Sequence, residues 1–132
     1  MNNKDLGYLL LRLSIGGLML FHGIAKLTHG LGYIEGVLAE KGLPAVLAYG
    51  VYLGEIIAPL MLLVGFRTRI AALFYVPVML VAMFLANGDK MFTLTQTGAW
   101  AWELQALFLF GALALFFTGG GKYAVSTTNQ WD

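Results

Sequence analysis

The chain contains no cysteine among its 132 residues. Disulfide bonds, thiolate metal sites and dithiol redox chemistry are therefore excluded for this chain. Charge is scarce as well: eight basic and seven acidic side chains make up 11% of the residues, against about 25% in an average soluble domain. Neither sign dominates, because the formal net charge is +1. So few charges exclude a soluble enzyme, a disordered tail and a nucleic-acid-binding protein.

Apolar residues make up 59% of the sequence, and its mean hydropathy is +0.77. A helix that crosses a bilayer needs about 20 mostly apolar residues. Four segments have this character: 6–27, 45–66, 70–86 and 100–117. Their apolar residues do not alternate with polar ones, which argues against membrane strands. We therefore predict an all-α integral membrane four-helix bundle, with residues 1–132 forming a single membrane domain.

The connection between the first two spans has a helical pattern of its own. Tyr33, Ile34, Val37 and Leu38 recur at helical spacing, while the charged Glu35 points elsewhere. This pattern is typical of an amphipathic helix that lies on the membrane surface. We predict a short interfacial helix at this position.

The distribution of basic residues near the span ends indicates an orientation. The side that holds the N-terminus carries Lys4, Arg67, Arg69 and Lys122. The other side carries only Lys41 and Lys90, with Lys26 near its boundary. This excess predicts that both termini lie in the cytoplasm.

Ionisable residues interrupt the spans, although a charge at mid-bilayer costs at least about 2.5–3.5 kcal/mol. They are Arg12, His22, Lys26, Glu55 and Glu103. Helical spacing places the three on the first span on the same face as Gly16 and Gly23. Glycines there would let another helix approach closely, so this polar face is predicted to point into the bundle.

Depths estimated at about 1.5 Å per residue predict two clusters of these groups. Arg12 would pair with Glu55, and His22 or Lys26 would lie beside Glu103 near the opposite surface. Structural explanations stay open for each group. The Arg12–Glu55 pair could simply fix the helix register, Lys26 could extend to the interface, Glu103 could reach water, and His22 could bond to a backbone carbonyl.

The same residues form the candidate site. We predict His22, Glu55 and Glu103 as catalytic residues, since an imidazole beside a carboxylate suits proton transfer near neutral pH. The predicted ligand-binding residues are Arg12, Lys26, Tyr52 and Trp100. Tyr52 lies about one turn before Glu55, and Trp100 could either stack a planar ligand or belong to an aromatic belt. No metal, haem, flavin or nucleotide motif is present.

Several motifs resemble those of the DoxX family of small bacterial membrane proteins. They are Arg12-Leu13, the run from Phe21 to Leu27, Lys41-Gly42-Leu43-Pro44, Gly54-Glu55, the run from Leu63 to Ala71, and the stretch from Gly119 to Tyr123. The tail departs from the family pattern, because Ala124-Val125-Ser126 stands where relatives usually have Ser-Leu-Asp.

The resemblance implies a four-helix bundle in the bacterial cytoplasmic (inner) membrane, and an oxidoreductase or oxidoreductase subunit. The motif positions that carry over are Arg12, His22, Lys26, Glu55 and Arg67. The first functional hypothesis is a redox-associated protein that binds a quinone-like molecule within the bundle and receives electrons from a partner or a reducing substrate.

Two other hypotheses stay open. One is a non-catalytic membrane subunit that anchors a soluble redox protein through the surface helix and the loop from Asn87 to Ala99. The other is a small-molecule or proton-coupled carrier, which with four helices would need to form a homo-oligomer. In all three, the lipid bilayer is a partner and nucleic acid is not.

Overall fold

The computed structural model describes residues 3–132, which are helical apart from turns and one isolated β-bridge between Leu94 and Trp100. We number its five main helices α1 to α5. They are α1 (Lys4–His29), α2 (Gly32–Glu40), α3 (Ala45–Val64), α4 (Thr68–Ala86) and α5 (Glu103–Thr118). By length and composition, α1, α3 and α4 can each cross a membrane, and α5 is a shorter apolar helix. The helical membrane bundle predicted from the sequence is confirmed.

Helix boundaries differ from the predictions where the backbone turns sharply. The second span ends at Val64, because Gly65 has a φ of 78° and Arg67 a φ of 47°. These left-handed residues reverse the chain, and α4 begins at Thr68. The fourth span begins at Glu103 instead of residue 100, because Trp100 belongs to a hairpin-like turn before the helix.

The predicted surface helix is present as α2. It buries Val37 and Leu38, and Leu38 packs with Ala48 and Val51 of α3. Three of the four apolar residues of the predicted pattern, Ile34, Val37 and Leu38, therefore face the bundle, whereas Tyr33 is exposed.

Two glycines bring α1 close to α3, as the sequence predicts. Gly16 lies against Pro59 and Leu62, and Gly23 lies against the backbone carbonyl of Glu55. A methyl group at Gly23 would collide with that carbonyl, so glycine is required at this crossing.

Three arginines hold the polar tail against one end of the bundle. Arg12 is fully buried and donates to the Tyr123 carbonyl at 3.0 Å. Arg69 donates to the carbonyls of Phe116 and Phe117, which belong to the last turn of α5. Cations at this position favourably oppose the negative end of the helix dipole. These contacts close the end of the bundle where α3 and α5 both terminate.

The third arginine anchors the last residue of the tail. Arg67 donates to both Ser126 and Asp132, each at 2.9 Å. Burial alone would raise the pKa of the Asp132 carboxyl. Hydrogen bonds from Ser126 and the Asn129 amide, together with Arg67, outweigh that effect and lower the pKa from 3.8 to about 2.

The contact of α1 with α3 predicts a selective response to a single methyl group. Gly23→Ala should lower the free energy of unfolding by about 1–3 kcal/mol, because the helices must separate. Gly17→Ala on the same helix is the matched control, since its added carbon would lie 3.9 Å from its nearest neighbour. Thermal unfolding in detergent measures both. Equal stability of the two variants would contradict the predicted collision.

The tail predicts a titration at unusually low pH. Because the folded pKa of Asp132 is lowered, its stabilising contribution is complete above about pH 4 and is lost as the pH falls from 3.8 towards 2. The carboxyl ¹³C shift of Asp132 should therefore titrate with a midpoint at about 2. Arg67→Gln should raise that midpoint, whereas Lys122→Gln should leave it unchanged. A midpoint at the ordinary value in the wild-type protein would refute the anchoring.

Candidate functional site

An ion pair joins α1 to α3 inside the bundle. Lys26 Nζ lies 2.5 Å from Glu55 Oε2, and the exposed fractions of the two side chains are 27% and 5%. A carboxylate this deeply buried needs a cation, because removing it from water costs several kcal/mol. The pair therefore keeps a charged oxygen acceptor and an ammonium donor together in apolar surroundings.

The predicted pairing of Glu55 with Arg12 is wrong. The glycine contacts set the register of the two helices, with Gly23 opposite Glu55 and Gly16 opposite Leu62. Arg12 consequently lies beside Gly65, at the other end of α3. Lys26 is fourteen residues further along α1, or about 21 Å. The depth estimate failed because a sequence does not specify how far two helices slide past each other.

Glu103 does not occupy the position predicted for it. It is the first residue of α5, its side chain is exposed, and neither ion pair among the described residues includes it. The predicted cluster of His22 or Lys26 with Glu103 is thus not formed. The next residues of α5, Leu104 and Gln105, line the cavity described below instead. The difference is about one residue of helical rotation, or 100°.

A cavity of about 110 Å³, called here the polar cavity, lies beside the ion pair. All four bundle helices contribute to its lining, which consists of Met19, His22, Lys26, Glu55, Met79, Ala82, Leu104, Gln105 and Phe108. Its size is of the same order as the engineered cavity of about 150 Å³ that accepts a benzene ring. A small ring could therefore contact the polar side chains and the apolar wall together.

His22 forms one edge of the polar cavity. Its ring packs edge-on against Phe108, with the centroids 5.8 Å apart and the planes at 88°. The residue is otherwise exposed, although it lines the polar cavity. An imidazole in this place can exchange a hydrogen bond or a proton with a bound molecule.

Gln105 is a site residue that the sequence analysis missed. It lines the polar cavity, and its Oε1 atom is buried without a hydrogen-bond partner. A buried acceptor left unpaired costs about 1–3 kcal/mol. The available signal was the amide itself, which is the last strongly polar side chain before the apolar run of α5.

Two of the predicted ligand-binding residues have structural contacts outside the polar cavity. The Tyr52 hydroxyl donates to the Lys26 carbonyl at 3.4 Å, and so links α3 to α1. The Trp100 indole donates to the Met91 carbonyl at 2.7 Å, within the turn that precedes α5. Neither residue is part of the cavity lining.

Two of the helices that line the polar cavity, α3 and α4, each contain a π-helical segment, in which the turns are wider than in an α-helix. The segments Leu53–Ile57 and Val81–Ala86 are π-helical, and each contributes one lining residue, Glu55 and Ala82 respectively. Such segments are rare and frequently mark functional sites. Over residues 3–132, no group of three or more His, Cys, Asp or Glu side chains could hold a metal ion.

Comparison with known proteins gives one result. The family model described as DoxX matches residues 7–88, which covers most of α1 and all of α2, α3 and α4 and includes His22, Lys26 and Glu55. No curated protein and no solved structure matches the chain.

The ion pair predicts a non-additive response to substitution. Lys26→Met should lower the free energy of unfolding by about 3 kcal/mol, at the lower end for buried pairs because Lys26 is partly exposed. Adding Glu55→Gln should recover part of this loss, since no buried carboxylate then remains uncompensated. Chemical unfolding of the single and double variants measures the coupling. Additive losses would mean that the pair does not operate as a unit.

Proposed function

Since the chain belongs to the DoxX family, we propose that it is a redox-associated membrane protein whose polar cavity binds the head group of a quinone-like molecule. Family membership supports the redox association, and the apolar helices support a protein of the lipid bilayer. Family membership favours the bacterial inner membrane, and the distribution of basic residues favours an orientation with both termini in the cytoplasm.

One observation carries the choice of ligand. The polar cavity combines the Lys26–Glu55 pair and His22 with an apolar wall that includes Met19 and Phe108. A quinone head group has the matching chemistry, because its flat ring is apolar and its two oxygens accept hydrogen bonds. Because His22 is exposed beside the polar cavity, we propose that a lipid-soluble molecule enters there from the bilayer.

Each polar group has a proposed role. Lys26 and His22 donate hydrogen bonds to the ring oxygens, and Gln105 Oε1 accepts one from a ring hydroxyl when the molecule is in its quinol form. Glu55 and His22 exchange the protons that accompany reduction or oxidation. Reduction of a quinone to its quinol takes two electrons and two protons, and the electrons come from a soluble redox partner or a reducing substrate. Arg12 and Glu103 have no direct role, because they lie outside the polar cavity.

A second candidate function is a membrane subunit that recruits a soluble protein. The observation in its favour is the turn between α4 and α5, where Phe92 and Leu94 are 91% and 71% exposed. Backbone hydrogen bonds and the indoles of Trp100 and Trp102 hold this turn in place. A fixed turn that presents two large apolar side chains suits contact with a partner.

Binding of a short-chain benzoquinone to the purified protein tests the first proposal. His22→Ala should weaken binding by about tenfold or more, since a lost hydrogen bond of this type is worth about 1.5 kcal/mol. Glu103→Gln is the matched control and should bind as the wild type does. Tryptophan fluorescence quenching or calorimetry in detergent gives the dissociation constants.

Other outcomes of the quinone-binding experiment would contradict the proposal. Absence of saturable binding to the wild-type protein would refute the quinone proposal. Equal weakening in His22→Ala and Glu103→Gln would place the binding site elsewhere. Retention of a soluble redox enzyme that is lost in Phe92→Ser, with no quinone bound, would favour the recruiting subunit.

A further inference from the structure

A second and larger opening, called here the apolar groove, lies on another side of α3. Its volume is about 320 Å³. Helices α2, α3 and α4 and the connection between α2 and α3 enclose it, and every lining residue is apolar or glycine: Ile34, Leu38, Leu43, Leu47, Gly50, Val51, Leu53, Phe74, Pro77, Val78, Val81 and Leu85. With no hydrogen-bonding side chain in its wall, this space does not suit water or a polar ligand.

The apolar groove runs along the depth of the membrane. On α4 its lining extends from Phe74 to Leu85, eleven residues that correspond to about 16 Å. Leu85 and Leu43 lie at the surface end, beside α2, and Phe74 lies near the middle of α4. A space of this length and direction matches an extended hydrocarbon chain lying parallel to the helices.

The apolar groove is separate from the polar cavity. Gly54 of α3 packs directly against Val78 and the Phe74 carbonyl of α4. On one side of this contact, Glu55 and Ala82 face the polar cavity, whereas on the other Leu53 and Val81 face the apolar groove. A ligand of the polar cavity therefore does not extend through the helix contact into the apolar groove.

We propose that the apolar groove binds one acyl chain of a bilayer phospholipid. Both the chain and the groove wall are apolar, and an unfilled groove would forfeit dispersion contacts along its whole lining. The source is the surrounding bilayer, because α3 and α4, which supply most of the groove wall, are long and apolar enough to cross it. Contact with three helices distinguishes this lipid from lipids on the convex faces, such as those at Leu107 and Phe110 of α5.

Glycine at position 50 makes the proposal testable. A side chain built at Gly50 meets no atom within 4 Å, so it would fit without collision and would point into open space. Because Gly50 lines the apolar groove, Gly50→Leu should fill the part of it that the acyl chain occupies. Gly7 of α1 is equally open and lies outside the groove, so Gly7→Leu is the matched control.

The experiment reconstitutes each protein into vesicles of palmitoyl-oleoyl phosphatidylcholine and extracts it again in mild detergent. Native mass spectrometry then counts the phospholipid molecules that remain bound. Wild type and Gly7→Leu should each retain one phospholipid, and Gly50→Leu should bind it at least about tenfold more weakly, which corresponds to about 1.4 kcal/mol. Gly50→Ala is a milder second variant, to be used if Gly50→Leu does not fold. It should give an intermediate loss of bound phospholipid.

Three results would overturn the proposal. They are absence of retained phospholipid on the wild-type protein, equal retention by the Gly50 variants, and retention of only an isoprenoid quinone from vesicles that contain both molecules. The test is independent of the proposed function, because quinone binding at His22 should persist in Gly50→Leu. Failure of quinone binding alone would leave the phospholipid assignment intact.

Discussion

The ion pair between Lys26 and Glu55 is the interaction on which the polar part of the bundle depends. A carboxylate with 5% exposure is stable among apolar side chains only beside a cation. Gly23 permits the approach of α1 that brings Lys26 within reach. The pair in turn forms one wall of the polar cavity, so helix packing and site chemistry depend on the same contact.

The two ends of the bundle differ in how their backbone groups are satisfied. At one end, Arg12, Arg67 and Arg69 donate hydrogen bonds to the tail and to the last carbonyls of α5. The polar tail therefore covers the helix ends there. Towards the other end, α3 and α4 each contain a π-helical segment, Leu53–Ile57 and Val81–Ala86. The polar cavity lies on one side of these segments and the apolar groove on the other. Closure by the tail and the two openings are thus separated along the length of the bundle.

Much of the fold could be predicted because it follows from composition and spacing. The long apolar runs predicted the long helices, and the pattern around Val37 and Leu38 predicted the surface helix. Gly16 and Gly23 correctly marked the face of α1 that packs on α3. Three of the four polar residues of the candidate site were also accessible, since Lys26, Glu55 and His22 are conspicuous in an apolar chain. Gln105 was missed because an uncharged amide is less conspicuous than the neighbouring Glu103.

The sequence by itself determined that the chain is an apolar helical membrane protein, which segments form its long apolar helices, and which side chains are too polar to face lipid. These properties depend on local composition and on the 3.6-residue period of a helix. Only the tertiary structure decided which of those polar groups meet. The register between α1 and α3 pairs Glu55 with Lys26 and places Arg12 beside the tail. At the start of α5, Gln105 lines the polar cavity and Glu103 does not. Helix sliding and rotation depend on packing between distant segments, so no local pattern encodes them.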